Sequence, residues 1–99
     1  MKKILIFIGC YTPGFKAGGA IRSVYNLVEM YGNKYDFSII TSDRDLGDEK
    51  PYSQLLKGWN NVGKAKVMYL PKNIYYYLKI IYNIFHNRFV MNIQNTIVQ

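Results

Sequence analysis

The sequence predicts an α/β protein with a partial parallel β-sheet of about four strands and two helices. Three observations predict this class. An apolar run at residues 4–8 precedes a glycine-containing loop, the loop leads directly into a helical pattern, and a second apolar run follows that helix. Strand, helix and strand in so compact a span imply a βαβ unit with parallel strands. A chain of 99 residues fits one small domain.

The first half of the chain contains this unit. Residues 3–9 predict a fully buried strand because they are apolar on both faces. Residues 19–31 predict a helix with one buried face at intervals of three and four positions, formed by Ile21, Val24, Tyr25, Val28 and Tyr31. Residues 35–41 predict the second strand, and a polar loop follows at 42–52. Both loops then lie at the carboxyl edge of the sheet, where open α/β sheets bind ligands.

The second half contains a third strand and a second helix. Residues 59–64 predict a turn or short strand, and residues 65–70 a third strand. A helix is predicted over 73–87, with a buried stripe of Ile74, Tyr77, Leu78, Ile81 and Phe85. Residues 89–93 can add a fourth strand. Two helices leave part of such a sheet uncovered, which indicates an incomplete chain.

Charge and composition limit the functional classes. Thirteen basic residues against six acidic ones give a net charge of +7. This excess fits nucleic acid, an anionic membrane surface, a phosphorylated substrate, or lysines that keep a tyrosine-rich protein in solution. No nucleic-acid recognition module is visible, so we expect no nucleic-acid partner. One cysteine and one histidine argue against a disulfide and a zinc site. We expect a cytoplasmic protein without cofactor or metal.

Gly18 and Gly19 form the most informative motif. They end the loop after the first strand and open the first helix, where free N–H groups favour an anion. The pair can contact a ligand, or it can form a tight turn that packs the helix on the strand. Arg22 lies in the first helical turn, where its charge opposes the helix dipole. We favour an ion pair with Asp43 or Asp45 over a bound phosphate as its partner.

Other polar residues are weaker candidates. The spacing of the glycines is not that of a dinucleotide fingerprint, so Asp43 or Asp45 is expected to be a solvated loop residue rather than a ribose ligand. Cys10 is expected to be a half-buried thiol, and His86 a cap or surface residue. No nucleophile has a visible partner, and we therefore predict no catalytic residue.

The tyrosine-rich segment at residues 74–82 is apolar on more than one side. Tyrosine and lysine suit a membrane interface. The alternative is a helix packed between the sheet and a further segment of chain, and from the sequence we favour that alternative.

Three stretches of the chain resemble the amino-terminal domain of bacterial family 4 glycosyltransferases. They are Lys16-Ala17-Gly18-Gly19-Ala20-Ile21-Arg22-Ser23, then Asn26-Leu27-Val28, then residues 37–48. Pro51-Tyr52, Trp59 and residues 67–71 fit the same subgroup in order. The resemblance covers residues 1–88, whereas residues 89–99 depart from the pattern and indicate a truncated or frameshifted tail.

The resemblance implies a GT-B architecture, in which two Rossmann-like domains enclose a cleft. This chain is then a partial acceptor-side domain, and the domain that holds the nucleotide-sugar, with its paired glutamates, is absent. Parent enzymes transfer a sugar from a nucleotide-sugar to a glycan or lipid-linked acceptor, as in cell-surface glycan synthesis, without a metal bound by Asp-x-Asp. The implied substrate-binding residues are Gly18, Gly19, Arg22, Asp43 and Arg44.

A chain that forms only one half of the cleft is expected to have no sugar-transfer activity alone. The alternative function is a small, non-catalytic interaction module that binds an anionic membrane or a protein partner. Either function is compatible with a place at the inner face of the membrane.

Overall fold

The chain has the predicted α/β fold. A computed structural model describes residues 2–53, 55–85 and 90–93. Its elements in chain order are β1 (Lys2–Ile8), α1 (Gly19–Tyr31), β2 (Tyr35–Ser42), β3 (Trp59–Val62), β4 (Ala65–Leu70), α2 (Lys72–Phe85) and β5 (Val90–Ile93). These bounds agree with the predicted strands and helices to within one or two residues wherever the structure describes them.

The sheet is mostly parallel and has the strand order β3-β4-β2-β1-β5. β1 pairs in parallel with β2 and with β5, and β2 pairs in parallel with β4. The segment expected to be a turn or short strand is β3, which pairs antiparallel with β4. Gly63 makes this hairpin possible because its φ of 57° lies in the left-handed region. Four parallel strands and one short antiparallel edge strand are compatible with a partial Rossmann-like fold.

Each face of the sheet carries one apolar cluster. Alternate side chains of a strand point to opposite faces, so Ile6 and Ile8 join α1 in one cluster and Phe7 joins α2 in the other. All three side chains are completely buried. The α1 side is the larger cluster, and its helix buries Ile21, Val24 and Val28 as predicted, with Tyr25 partly buried beside them. The predicted burial of Tyr31 is wrong, because this last residue of the helix is 38% exposed.

The buried stripe predicted for α2 is wrong at two positions. Tyr75 is the buried residue at 1% exposure, whereas Ile74 and Tyr77 are exposed at 44% and 66%. Tyr75 and Tyr82 contact Phe7, with ring centroids 6.1 and 5.6 Å apart. The helix is apolar on several sides, so its periodicity permits more than one stripe, and the sheet face selects the one that fits against Phe7.

Some sequence predictions fall outside the described residues. These are the end of α2 at Asn87, the surface or capping role of His86, and the tail beyond residue 93. Within the part of the chain that the structure describes, no helix has the length and apolarity needed to cross a membrane.

Candidate functional site

The loop between β1 and α1, residues 9–18, forms one wall of the candidate site. It follows β1 and ends where α1 begins at Gly19. The expectation of a fully buried strand is correct only for the last three residues of β1, because Lys2 and Lys3 at its start are exposed. Internal turns shape it, with the amide of Gly14 donating to Tyr11 O at 2.9 Å and that of Gly18 to Phe15 O at 3.1 Å. The amide of Ser42 donates to Gly9 O at 3.4 Å. The loops after β1 and β2 therefore meet at the carboxyl edge of the sheet, as predicted.

Asp45 holds the glycine loop in place. Its carboxylate accepts hydrogen bonds from the backbone amides of Phe15 at 3.0 Å, Lys16 at 3.2 Å and Leu46 at 2.8 Å. The residue is 4% exposed. It is therefore neither the solvated loop residue expected from the sequence nor a ribose ligand, because backbone amides surround the carboxylate. Lys16 adds a second tie to the same loop through an exposed ion pair with Asp48.

Two tyrosines fix the other half of the loop. The hydroxyl of Tyr52 donates to Tyr11 O at 3.2 Å, the hydroxyl of Tyr69 donates to Thr12 O, and the two rings pack edge to face. Burial raises the pKa of Tyr52 and raises the pKa of Tyr69 to about 12. Gly14 must lack a side chain here, because a Cβ would overlap Tyr52 Oη and approach Asp45 Oδ1 to 2.8 Å.

Gly18 and Gly19 border an open depression of about 530 Å³. Its lining also includes Phe15, Ile21, Arg22, Tyr25 and Asn26. A Cβ at either glycine would meet nothing within 4 Å, so close packing against the strand does not explain the pair. Gly18 has a conformational reason to be glycine, since its φ of 70° and ψ of −126° are rare for other residues. Gly19 has no such reason, and its missing side chain leaves room at the helix start.

The start of α1 is open to this depression. No side chain caps the helix at Gly18, and its first turn contains no acidic residue. Arg22 lines the depression and is exposed. Among the described residues it forms no ion pair with Asp43 or Asp45, so the predicted pair is wrong. The site thus combines free amides at the helix start with an exposed guanidinium, which together attract anionic or hydroxyl-rich ligands.

Asp43 and Arg44 lie on the neighbouring loop and do not line the depression. Arg44 Nε donates to Asp43 Oδ1 at 2.9 Å, and the Arg44 guanidinium also donates to Glu49 O. The backbone of Asp43 bonds to Leu70 and Tyr52, with N···O distances of 2.8 and 2.7 Å. The structure therefore brings together Gly18, Gly19 and Arg22 and places the other two predicted residues in the support of the loop.

Buried polar groups lie close behind this edge. Cys10 is 3% exposed and therefore more buried than the half-buried thiol expected from the sequence. Desolvation raises the pKa of this thiol. The hydroxyls of Tyr11 and Thr41, both completely buried, have no hydrogen-bond partner within the described residues. Buried hydroxyls are normally paired, so these two are suited to an ordered water or a ligand group.

Phe15 and Asn26 were not predicted to line the site, and Asp45 was not predicted to support the loop. Asn26 could have been found, because it follows Arg22 by four positions and therefore shares its helix face. Nothing in the local sequence around Asp45 indicates its amide partners, which lie up to 30 residues away.

No three His, Cys, Asp or Glu side chains within residues 2–53, 55–85 and 90–93 are grouped so that they could hold a metal ion. The fold and this depression define an α/β domain with a candidate site for polar or anionic ligands at its carboxyl edge. No protein family, no curated protein and no solved structure matches the chain.

Proposed function

We propose that the chain forms the acceptor-side half of a sugar-transfer cleft. The parent enzyme would move a sugar from a nucleotide-sugar to a glycan or lipid-linked acceptor. One observation carries the proposal: Gly18, Gly19 and Arg22 line a single depression at the carboxyl edge of a mostly parallel sheet. The resemblance of residues 16–23 and 37–48 to family 4 glycosyltransferases supports it.

The groups at the depression suit binding rather than bond breaking. Amides at the start of α1 and the Arg22 guanidinium attract a phosphate or diphosphate. The Asn26 amide can donate to and accept from sugar hydroxyls, and the exposed Phe15 ring offers an apolar surface. None of the described side chains that line the depression is a carboxylate, an imidazole or a thiol, the groups that most often act as general acid, general base or nucleophile. We therefore expect the chain to bind ligand without transferring sugar.

A titration with inorganic pyrophosphate, which carries the diphosphate group without a nucleoside, tests the proposal. Adding it to the isotope-labelled 99-residue chain is expected to shift the amide resonances of Gly18, Gly19 and Arg22. Arg22→Gln is expected to weaken binding about tenfold, because a charge-assisted hydrogen bond is lost. Lys34→Gln removes an exposed cation outside the depression and serves as the matched control. Equal weakening by both variants, or shifts confined to other amides, contradicts the proposal.

The glycine pair provides a second test of the same titration. Gly19→Ala is expected to leave the free energy of unfolding within about 1 kcal/mol while it weakens binding, because its Cβ faces the depression and not the core. Gly18→Ala is expected to destabilise the fold by about 1–3 kcal/mol, because its backbone conformation disfavours a side chain. If Gly19→Ala binds as tightly as the unchanged chain, the ligand does not bind beside Gly19. Sugar transfer by the purified chain would contradict the half-cleft assignment.

A further inference from the structure

Helix α2 carries a second apolar surface that faces away from the sheet. Its inner surface packs Tyr75, Leu78 and Tyr82 against Phe7 and neighbouring side chains. The outer stripe consists of five exposed residues, Ile74, Tyr76, Tyr77, Ile80 and Ile84, whose side chains are 44–66% exposed. A surface helix normally has polar residues on its outer side. An exposed apolar stripe of this kind is typical of a surface that contacts a partner or a membrane.

The half of the sequence that contains the outer stripe carries charge of one sign. The first 49 residues carry six basic and six acidic residues, whereas residues 50–99 carry seven basic and no acidic residue. The whole net charge of +7 therefore belongs to the half of the chain that contains α2. Lys72 precedes Tyr76 by four positions and Lys79 follows it by three, so both lysines flank the stripe. Lys66 is exposed on the same side of the sheet, since it alternates with the buried Val67 of the α1 side.

We propose that the outer stripe of α2 binds the surface of an anionic lipid bilayer. The helix has 14 residues, about 21 Å in length, and lies flat on the membrane rather than crossing it. Isoleucine side chains enter the acyl boundary, tyrosine hydroxyls stay at the headgroup level, and lysines contact anionic headgroups. The absence of acidic residues in α2 favours lipid phosphates over a basic protein surface. This inference does not depend on the proposed sugar-transfer role.

Vesicle sedimentation with the 99-residue chain tests the proposal. The chain is expected to sediment with vesicles of phosphatidylcholine and phosphatidylglycerol and to stay in the supernatant with phosphatidylcholine alone. High salt is expected to release it, because salt screens the attraction between charges. Failure to bind the anionic vesicles, or equal binding to both kinds, overturns the proposal.

Matched variants distinguish binding through the outer stripe from nonspecific hydrophobic binding. The double variant Ile80→Asn with Ile84→Asn is expected to weaken vesicle binding at least tenfold. Met30→Asn with Leu56→Asn changes two similarly exposed apolar residues away from α2 and is expected to leave binding unchanged. If both pairs weaken binding alike, the stripe is not the binding surface.

Matched lysine variants test the charge. Lys72→Gln and Lys79→Gln are each expected to weaken binding to anionic vesicles about fivefold. Lys50→Gln and Lys57→Gln remove charge from the same half of the chain but not from α2, and are expected to have a smaller effect. Equal effects would assign the binding to net charge alone and overturn the role of the helix.

A reporter tryptophan shows which side of the molecule meets the lipid. In a Trp59→Phe background, Tyr77→Trp is expected to show blue-shifted emission on anionic vesicles and quenching by brominated lipids. Met30→Trp on α1, on the opposite side of the sheet, is expected to show neither. The reverse result overturns the proposal. Self-association that is lost in the Ile80→Asn, Ile84→Asn variant, without vesicle binding, would assign the stripe to a second copy and also overturn it.

Discussion

At the scale of single residues, Asp45 shows how a loop carboxylate can act through its neighbours. Its carboxylate accepts hydrogen bonds from amides on two loops and is 4% exposed. The amides of Phe15 and Lys16 belong to the loop that leads into Gly18 and Gly19, so Asp45 positions the glycine pair without lining the depression that the pair borders. A charged acceptor suits this task because its hydrogen bonds are stronger than those of a neutral one.

The first prediction at this scale concerns Asp45. Asp45→Ala is expected to lower the free energy of unfolding by about 1–3 kcal/mol, because it removes the charged acceptor of three backbone amides. Asp48→Ala is the control. Its ion pair with Lys16 is exposed, with side chains 40% and 47% accessible, and is expected to contribute less than about 1 kcal/mol. Urea unfolding followed by circular dichroism measures both, and equal losses would show that Asp45 is not a support of the loop.

At the scale of elements, α2 shows what periodicity leaves undecided. Its sequence has apolar side chains on nearly every side, so a stripe at Ile74 and Tyr77 and a stripe at Tyr75 and Tyr82 are equally regular. Contact with Phe7 and Ile40 selects the second stripe, and the first is left outside. The same packing creates the outer stripe, since the apolar residues of α2 that do not contact the sheet remain exposed.

This choice predicts a contrast between neighbouring tyrosines. Tyr75→Ala is expected to lower the free energy of unfolding by about 3 kcal/mol or more, because it empties a buried site between the helix and the sheet. Tyr77→Ala is expected to cost less than about 1 kcal/mol, since its ring is 66% exposed.

Tyr75→Phe separates ring packing from the hydroxyl. The buried hydroxyl has no hydrogen-bond partner within the described residues, so its removal is expected to be neutral or stabilising. Chemical unfolding of the three variants measures the contrast. Equal costs for Tyr75→Ala and Tyr77→Ala would contradict this orientation of the helix.

At the scale of the whole molecule, buried tyrosines make the stability of the fold depend on pH in the alkaline range. Burial raises the pKa of Tyr11, Tyr52, Tyr69 and Tyr75 above the usual value for tyrosine. Two of them, Tyr52 and Tyr69, also hold the glycine loop through their hydroxyls. Ionisation of these tyrosines favours the unfolded chain, in which they are solvated. It therefore destabilises both the core and the glycine loop.

The sign of the pH dependence follows from proton uptake. Above about pH 10 the unfolded chain loses tyrosine protons that the folded chain retains, so the free energy of unfolding falls as the pH rises. For Tyr69 the contribution is complete below its unfolded value and is lost as the pH approaches about 12. Urea midpoints measured on either side of pH 10 are expected to show this fall. Tyr69→Phe is expected to make it shallower, and a pH-independent midpoint would contradict the burial of these rings.

The sequence by itself determined the elements and the edge at which the site lies. Apolar runs of strand length and a three-and-four periodicity are local signals, and they placed β1, α1, β2 and β4 to within one or two residues. Parallel pairing then requires the glycine loop and the loop after β2 to share one edge of the sheet. Gly18 was visible for the same reason, because a backbone conformation that favours glycine is specified locally.

Only the tertiary structure decided which groups are partners. Asp45 and Phe15 lie 30 positions apart, and either Asp43 or Asp45 is a plausible partner for Arg22 in the sequence. In the folded chain Asp43 pairs with Arg44, and Asp45 accepts hydrogen bonds from the loop amides. Arg22 has neither aspartate as a partner and lines the depression. The same holds for the outer stripe of α2. Periodicity defines an apolar surface, but whether it is buried depends on which surface the rest of the chain brings against it.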